Sequence, residues 1–195
     1  MNDKDLKALL QTAYDQARRG PDTEDRPGPI HADRSRRFVE AVASEFRERY
    51  KADDGFAVFS KHWTSNQEGF KLNELSYDVH VVQIERVGAK GLPFVKKAMW
   101  QVESEFARDA HEALIDMSKL VCGSAPNKLF IGPIVSELRQ REYMAALLAP
   151  ARECNAATYL CLVEHPDKWS GLGENADVHF YRFVAGDWES AGAEH

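Results

Sequence analysis

The sequence predicts an α/β fold, a mixed central β-sheet flanked by helices, and three observations lead to it. Consecutive segments rich in β-branched and aromatic residues fill positions 55–106. Segments with apolar residues at helical spacing precede them. After residue 106, helical segments alternate with short apolar runs, as β–α–β crossovers between parallel strands require. Consecutive strands followed by such units imply a mixed sheet with helices on its faces.

The elements follow in order. Residues 3–19 carry Leu6, Leu9, Leu10, Ala13 and Ala17 at helical spacing, which predicts a first helix. GPDTEDRPGPI (20–30) holds three prolines and two glycines and reads as a loop or linker. The division expected is therefore 1–30, a helix and its linker appended to the rest, and 31–195, the main α/β domain. Asp33 or Ser35 is placed to cap a second helix reaching Tyr50, with Phe38, Val42, Ala43, Phe46 and Tyr50 as its apolar stripe. GFAVFSKHW (55–63), NELSYDVHVVQIE (73–85) and LPFVKKAMWQVESEF (92–106) read as strands. RVGAKG is the loop of an antiparallel pair between the last two. FARDAHEALIDMSKLV (106–121) returns to helical period, with Asp109, Glu112, Asp116 and Lys119 on its polar face. NKLFIGP (127–133) is a buried-type strand, and 136–149 a helix ended by Pro150. ATYLCLVEHP (157–166) and DVHFYRFVAG (177–186) are further strands.

Bulk properties narrow the function. The chain has 195 residues, enough for one core without disulfides, and its odd count of three cysteines, with no CxxC pairing, suits a reducing, cytoplasmic setting. No apolar run is long enough to span a bilayer, and the N-terminus lacks the apolar segment of a signal peptide. The net charge of −6 argues against broad, sequence-independent phosphate binding, so a nucleic-acid site would have to be local.

The chemistry is expected where acids interrupt core-type strands. Asp78 lies in LSYDVHVVQ, and Glu103 and Glu105 in WQVESEF. Period-two geometry puts Glu103 and Glu105 on one face, with Trp100, Val102 and Ser104 on the other. Hairpin pairing of the two strands would bring Asp78 near Glu103. Carboxylates at such density in a sheet are costly without a cation, and oxygen ligands select Mg²⁺ or Mn²⁺. The competing reading leaves these acids on a wet edge, with Glu105 capping the helix that follows.

This pattern resembles the PD-(D/E)XK nuclease superfamily, which has an αβββαβ restriction-endonuclease-like core with Asp in its second core strand and Glu-x-Lys in its third. The resemblance covers roughly residues 33–133. It implies a metal-dependent DNA endonuclease of restriction, repair or defence against foreign DNA, working as a homodimer or within a larger complex. It assigns Asp78 and Glu103 as metal-binding acids and puts Glu105 where the family usually has lysine. Some members are similar in that departure, and others carry the lysine on the following helix, which would make Lys119 the migrated residue. Glu40 is the nearest match to a helix-borne outer metal ligand. A subunit of the same fold without catalysis, acting as a DNA- or protein-binding module, stays open, as does an unrelated α/β protein with decorative surface acids.

Other residues read as structural. His80 shares a face with Asp78 but has no metal-type spacing, and His111, His165 and His179 have no spaced partner. GLGENAD (171–177) lacks the lysine and helix of a nucleotide loop. Arg34, Arg36, Arg37, Lys96, Lys97, Arg139 and Arg141 are local basic clusters suited either to phosphates or to solvent.

Overall fold

The computed structural model describes residues 1–23, 27–63, 70, 77–169 and 176–192. Helices α1 (Asp3–Arg19) and α2 (Pro27–Arg49) precede strands β1 (Phe56–Ser60), β2 (Val79–Val87) and β3 (Leu92–Ser104). Helix α3 (Ala110–Cys122), β4 (Asn127–Ile134), α4 (Glu137–Glu153) and β5 (Ala157–Glu164) alternate, and β6 (His179–Val184) and β7 (Asp187–Ser190) complete the chain. The seven strands lie side by side in sequence order. β2 runs antiparallel to its neighbours β1 and β3, β3, β4 and β5 are parallel, and β6 pairs antiparallel with β5 and β7 with β6. This is the mixed α/β sheet that the sequence predicts. Among the described residues, no helix is long and apolar enough to cross a membrane.

Helices cover both faces. Leu6, Leu9, Leu10 and Tyr14 of α1 and Phe38, Val42 and Phe46 of α2 share one apolar cluster with Val79, Val81, Trp100, Val102, Leu129, Ile131 and Cys161 of the sheet. On the opposite face, Ala113, Met117 and Leu120 of α3 and Tyr143 and Leu147 of α4 pack on Phe130, Leu160 and Leu162. β4, β5 and β6 feed both clusters because successive side chains point to opposite faces.

Several boundaries differ from the sequence reading, each for a local reason. α2 begins at Pro27, inside the stretch read as a linker. Prolines are tolerated in a first helical turn because those N–H groups have no intrahelical partner. α4 continues through Pro150 to Glu153, and burial of Ala151 in the second cluster offsets the missing bond. α3 starts only at Ala110, because Asp109 caps it by accepting from the N–H groups of His111 and Glu112. Phe106, read as the first residue of that helical segment, instead packs on the α1/α2 side against Trp169. β7 is a strand the sequence did not suggest; Ala185 and Gly186, both at positive φ, turn β6 into it. Residues 24–26 of the supposed linker, 73–76 of the second strand and 171–175 of GLGENAD lie outside the described residues.

Candidate carboxylate site

The site is built where β2 begins and β3 ends. Val79 pairs with Val102, so Asp78, one residue before β2, lies beside the last residues of β3. Asp78 is almost fully buried. Its Oδ2 accepts from the backbone N–H of Ser104 at 2.9 Å and from the Ser104 hydroxyl. Its Oδ1 meets Lys61 Nζ at 2.6 Å, and the Asp78 carbonyl accepts from the Lys61 N–H at 3.1 Å. Asp78 thus ties the segment after β1 to the end of β3.

Glu103 has no exposed surface. Its Oε2 accepts from Lys119 Nζ of α3 at 3.2 Å, while its buried Oε1 has no hydrogen-bond partner among the described residues. Lys119 also meets Asp116 Oδ1, one helical turn back, at 2.6 Å. Tyr77 donates its hydroxyl to the Lys119 carbonyl at 3.4 Å, pinning this turn of α3 beside the start of β2. Burial first, and then the Asp78 charge, push the Glu103 carboxyl up to about 8, against the pull of Lys119. Burial works against the Lys119 ammonium, but its bonds to Asp116 and Glu103 outweigh that and hold its pKa above the ordinary lysine value. Lys119 therefore stays charged at neutral pH, and Glu103 is poised near its titration point.

The remaining expected residues take separate positions. Glu105 lies just past β3, its N–H still donating to the Ile131 carbonyl at 3.0 Å. Its Oε1 accepts from the Ala107 N–H at 2.6 Å, shaping the bend before α3. Glu40 sits on α2, 3.6 Å from Arg36 Nη1. His62 feels the charges of both Asp78 and Arg36, which act on it in opposite directions. Burial first, and then Lys61, lower its pKa. His80 is buried with both ring nitrogens unpartnered among the described residues. Its ring packs on Tyr77 at 5.2 Å, and burial lowers its pKa to about 4, so it is neutral at physiological pH.

Sequence reasoning missed Lys61 and Ser104. Lys61 ends a strand-like segment with no spacing relation to Asp78, and Ser104 belongs to the face opposite Glu103. Their signal is topological, because β2 starts at Val79 and the Asp78 side chain takes the Ser104 N–H. The arginines of α2 are already engaged. Arg34, nearly buried, donates to both oxygens of Asp22 and to the Pro166 carbonyl, while Arg36 and Arg37 pair with Asp33, Glu40 and Asp22.

The donors fit a hard cation in type: Asp78 and Glu103 supply carboxylate oxygens, and Glu103 Oε1 is buried and unpartnered. Among the described residues, no three His, Cys, Asp or Glu side chains are gathered to hold an ion. No protein-family model matches the chain, no curated protein matches it in sequence, and no solved structure matches it in fold.

Proposed function

We propose that the chain is a divalent-metal-dependent DNA endonuclease, hydrolysing phosphodiesters in restriction, repair or defence against foreign DNA. One observation carries the reading: a fully buried Glu103, one oxygen on Lys119 and the other unpartnered, beside Asp78 at the end of a central strand. A buried carboxylate with an unsatisfied oxygen is costly to keep unless something cationic meets it. Asp78 and Glu103 would hold Mg²⁺ or Mn²⁺, which when bound polarises a phosphodiester and activates water. Lys119 holds Glu103 in place and offers a fixed positive charge to a phosphoryl group gaining negative charge. Ser104 and Lys61 fix the rotamer of Asp78. The resemblance in element order and acid spacing to the PD-(D/E)XK superfamily supports the same reading, with Lys119 standing in for the lysine that Glu105 replaces.

A specific observation favours a second reading, a non-catalytic subunit of the same fold that binds DNA or protein. Lys61 and Lys119 already pair with both acids, and Glu105 is spent on the Ala107 N–H. Incubation with supercoiled, linear and single-stranded DNA in Mg²⁺ or Mn²⁺ separates the two. The expected result is cleavage by the wild type, loss of at least ~100-fold in Asp78→Ala and Glu103→Ala, and a lesser loss in Lys119→Ala. Cleavage persisting in both acid variants would sink the site. Absence of cleavage with DNA still bound would establish the subunit reading.

A further inference from the structure

We infer that the far half of the β2–β3 hairpin is a ribbon that docks in a groove of duplex DNA. β1 pairs with β2 only over Val79–Gln83, and β4 pairs with β3 only over Trp100–Ser104. Beyond Ile84, whose N–H donates to Gly55, the two strands continue as a pair with neither outer edge joined to a strand among the described residues. Ile84 to Val87 opposite Leu92 to Val95 extends the ribbon by roughly 13 Å at ~3.3 Å per residue. Gly88 and Gly91, both at positive φ and joined by a 3.0 Å backbone bond, close its tip.

Two properties set this ribbon apart. Val87, Leu92 and Phe94 are 50%, 60% and 39% exposed, and they are three of the seven exposed large apolar side chains among the described residues. Val87 faces Leu92 and Phe94 faces Glu85, so alternation gathers all three on one face. The opposite-facing Ile84 and Val95 pack into the small cluster around Phe59 and Val82. Residues 84–97 also carry Arg86, Lys90, Lys96 and Lys97 against Glu85 alone, a net +3 on a chain of net −6. Lys96 meets Glu85 at 3.1 Å and Arg86 donates to the Gly91 carbonyl, which keeps these cations along the ribbon. Lysines alone would serve to blunt a free sheet edge. They do not account for three apolar side chains left in water beside them.

A polyanion is the partner that this charge selects from a protein otherwise negative. A two-stranded ribbon fits the width of the B-DNA major groove, and apolar side chains at such a tip can press against base edges while cations meet phosphates. The ribbon names the partner of the proposed nuclease, but it stands without the hydrolysis, because binding needs no metal.

The test is duplex binding by the full chain in EDTA, followed by fluorescence anisotropy across a salt series. The triple variant Lys90→Ala/Lys96→Ala/Lys97→Ala is expected to lose at least ~10-fold in affinity at ~0.1 M salt, and its log–log salt slope to fall by about 0.9 for each phosphate contact removed. Leu92→Ser/Phe94→Ser is expected to weaken binding with the slope unchanged, and the triple Lys→Arg variant to retain it. Circular dichroism melting confirms that each variant is folded. Since EDTA removes cleavage from the measurement, failure of the hydrolysis proposal leaves this result intact. Wild-type affinity in the Lys→Ala variant would overturn the inference, as would failure of the wild type to bind duplex. A concentration-dependent dimer abolished by Leu92→Ser/Phe94→Ser, with DNA binding unchanged, would overturn it in favour of a second copy as occupant.

Discussion

The two faces of the sheet are built from the same strands and behave as different materials. On the α1/α2 face, Val79, Val81, Trp100, Val102, Leu129 and Ile131 form an unbroken apolar layer. Trp100 packs between Phe46 at 5.4 Å and Tyr159 at 5.8 Å and donates its ring N–H to the Tyr50 hydroxyl at 2.8 Å. On the α3/α4 face, the alternate positions of β2 and β3 are His80, Gln101 and Glu103, buried and polar, while β4 and β5 add apolar Phe130, Leu160 and Leu162 beside the buried Lys128 and Thr158. Gln101 is used structurally, accepting from the Ala125 N–H at 3.1 Å. Among the described residues, His80 and Glu103 keep unpartnered polar atoms. One face therefore holds the fold through apolar contacts that do not titrate. The other holds it conditionally, on protons and on the charge brought by α3.

The sharpest way to break the contrast is to damage each face and vary pH. Trp100→Ala opens a cavity on the apolar face and is expected to cost ~3–5 kcal/mol in urea unfolding, with little dependence on pH because nothing that titrates is lost. Glu103→Gln is expected to change the pH profile more than the mid-range stability. The folded chain holds the Glu103 proton until about pH 8, whereas the unfolded chain releases it near 4.5. Between those values the native state binds more protons, so wild-type stability falls as pH rises, by at most ~1.4 kcal/mol per pH unit for one group. Glu103→Gln removes that fall; an unchanged slope in metal-free denaturation series would contradict the assignment. The smallest effect is at the edge of the polar face. Asp109→Ala removes the cap of α3 and is expected to cost ~1 kcal/mol, and because α3 carries Lys119 it should also reduce any cleavage. Cleavage untouched by Asp109→Ala at full helicity would show that the position of α3 is fixed by packing alone.

Much of the fold was legible because backbone periodicity is local. Leu6, Leu9, Leu10, Ala13 and Ala17 on α1, and the alternation of Trp100 and Val102 with Glu103, fall in the structure as spacing predicts. The exceptions were decided by competition. Pro27 and Pro29 fit a first turn, Pro150 was carried by burial around it, and Phe106 was claimed by Trp169 across the sheet. At the site, the nearness of Asp78 to the end of β3 followed from hairpin pairing, and Lys119 was singled out only through the family resemblance. Lys61 followed from neither, since no spacing rule ties it to Asp78.

The sequence by itself determined which residues alternate, and so which acids were set among core positions, because a strand's two-residue period and a helix's 3.6-residue period are properties of the backbone. Only the tertiary structure decided which charge meets which acid. Register put Asp78 on Ser104, the turn after β1 returned Lys61 to Asp78, and the docking of α3 set Lys119 on Glu103. Those contacts join separate elements, and they come from how the elements pack rather than from any pattern within one of them.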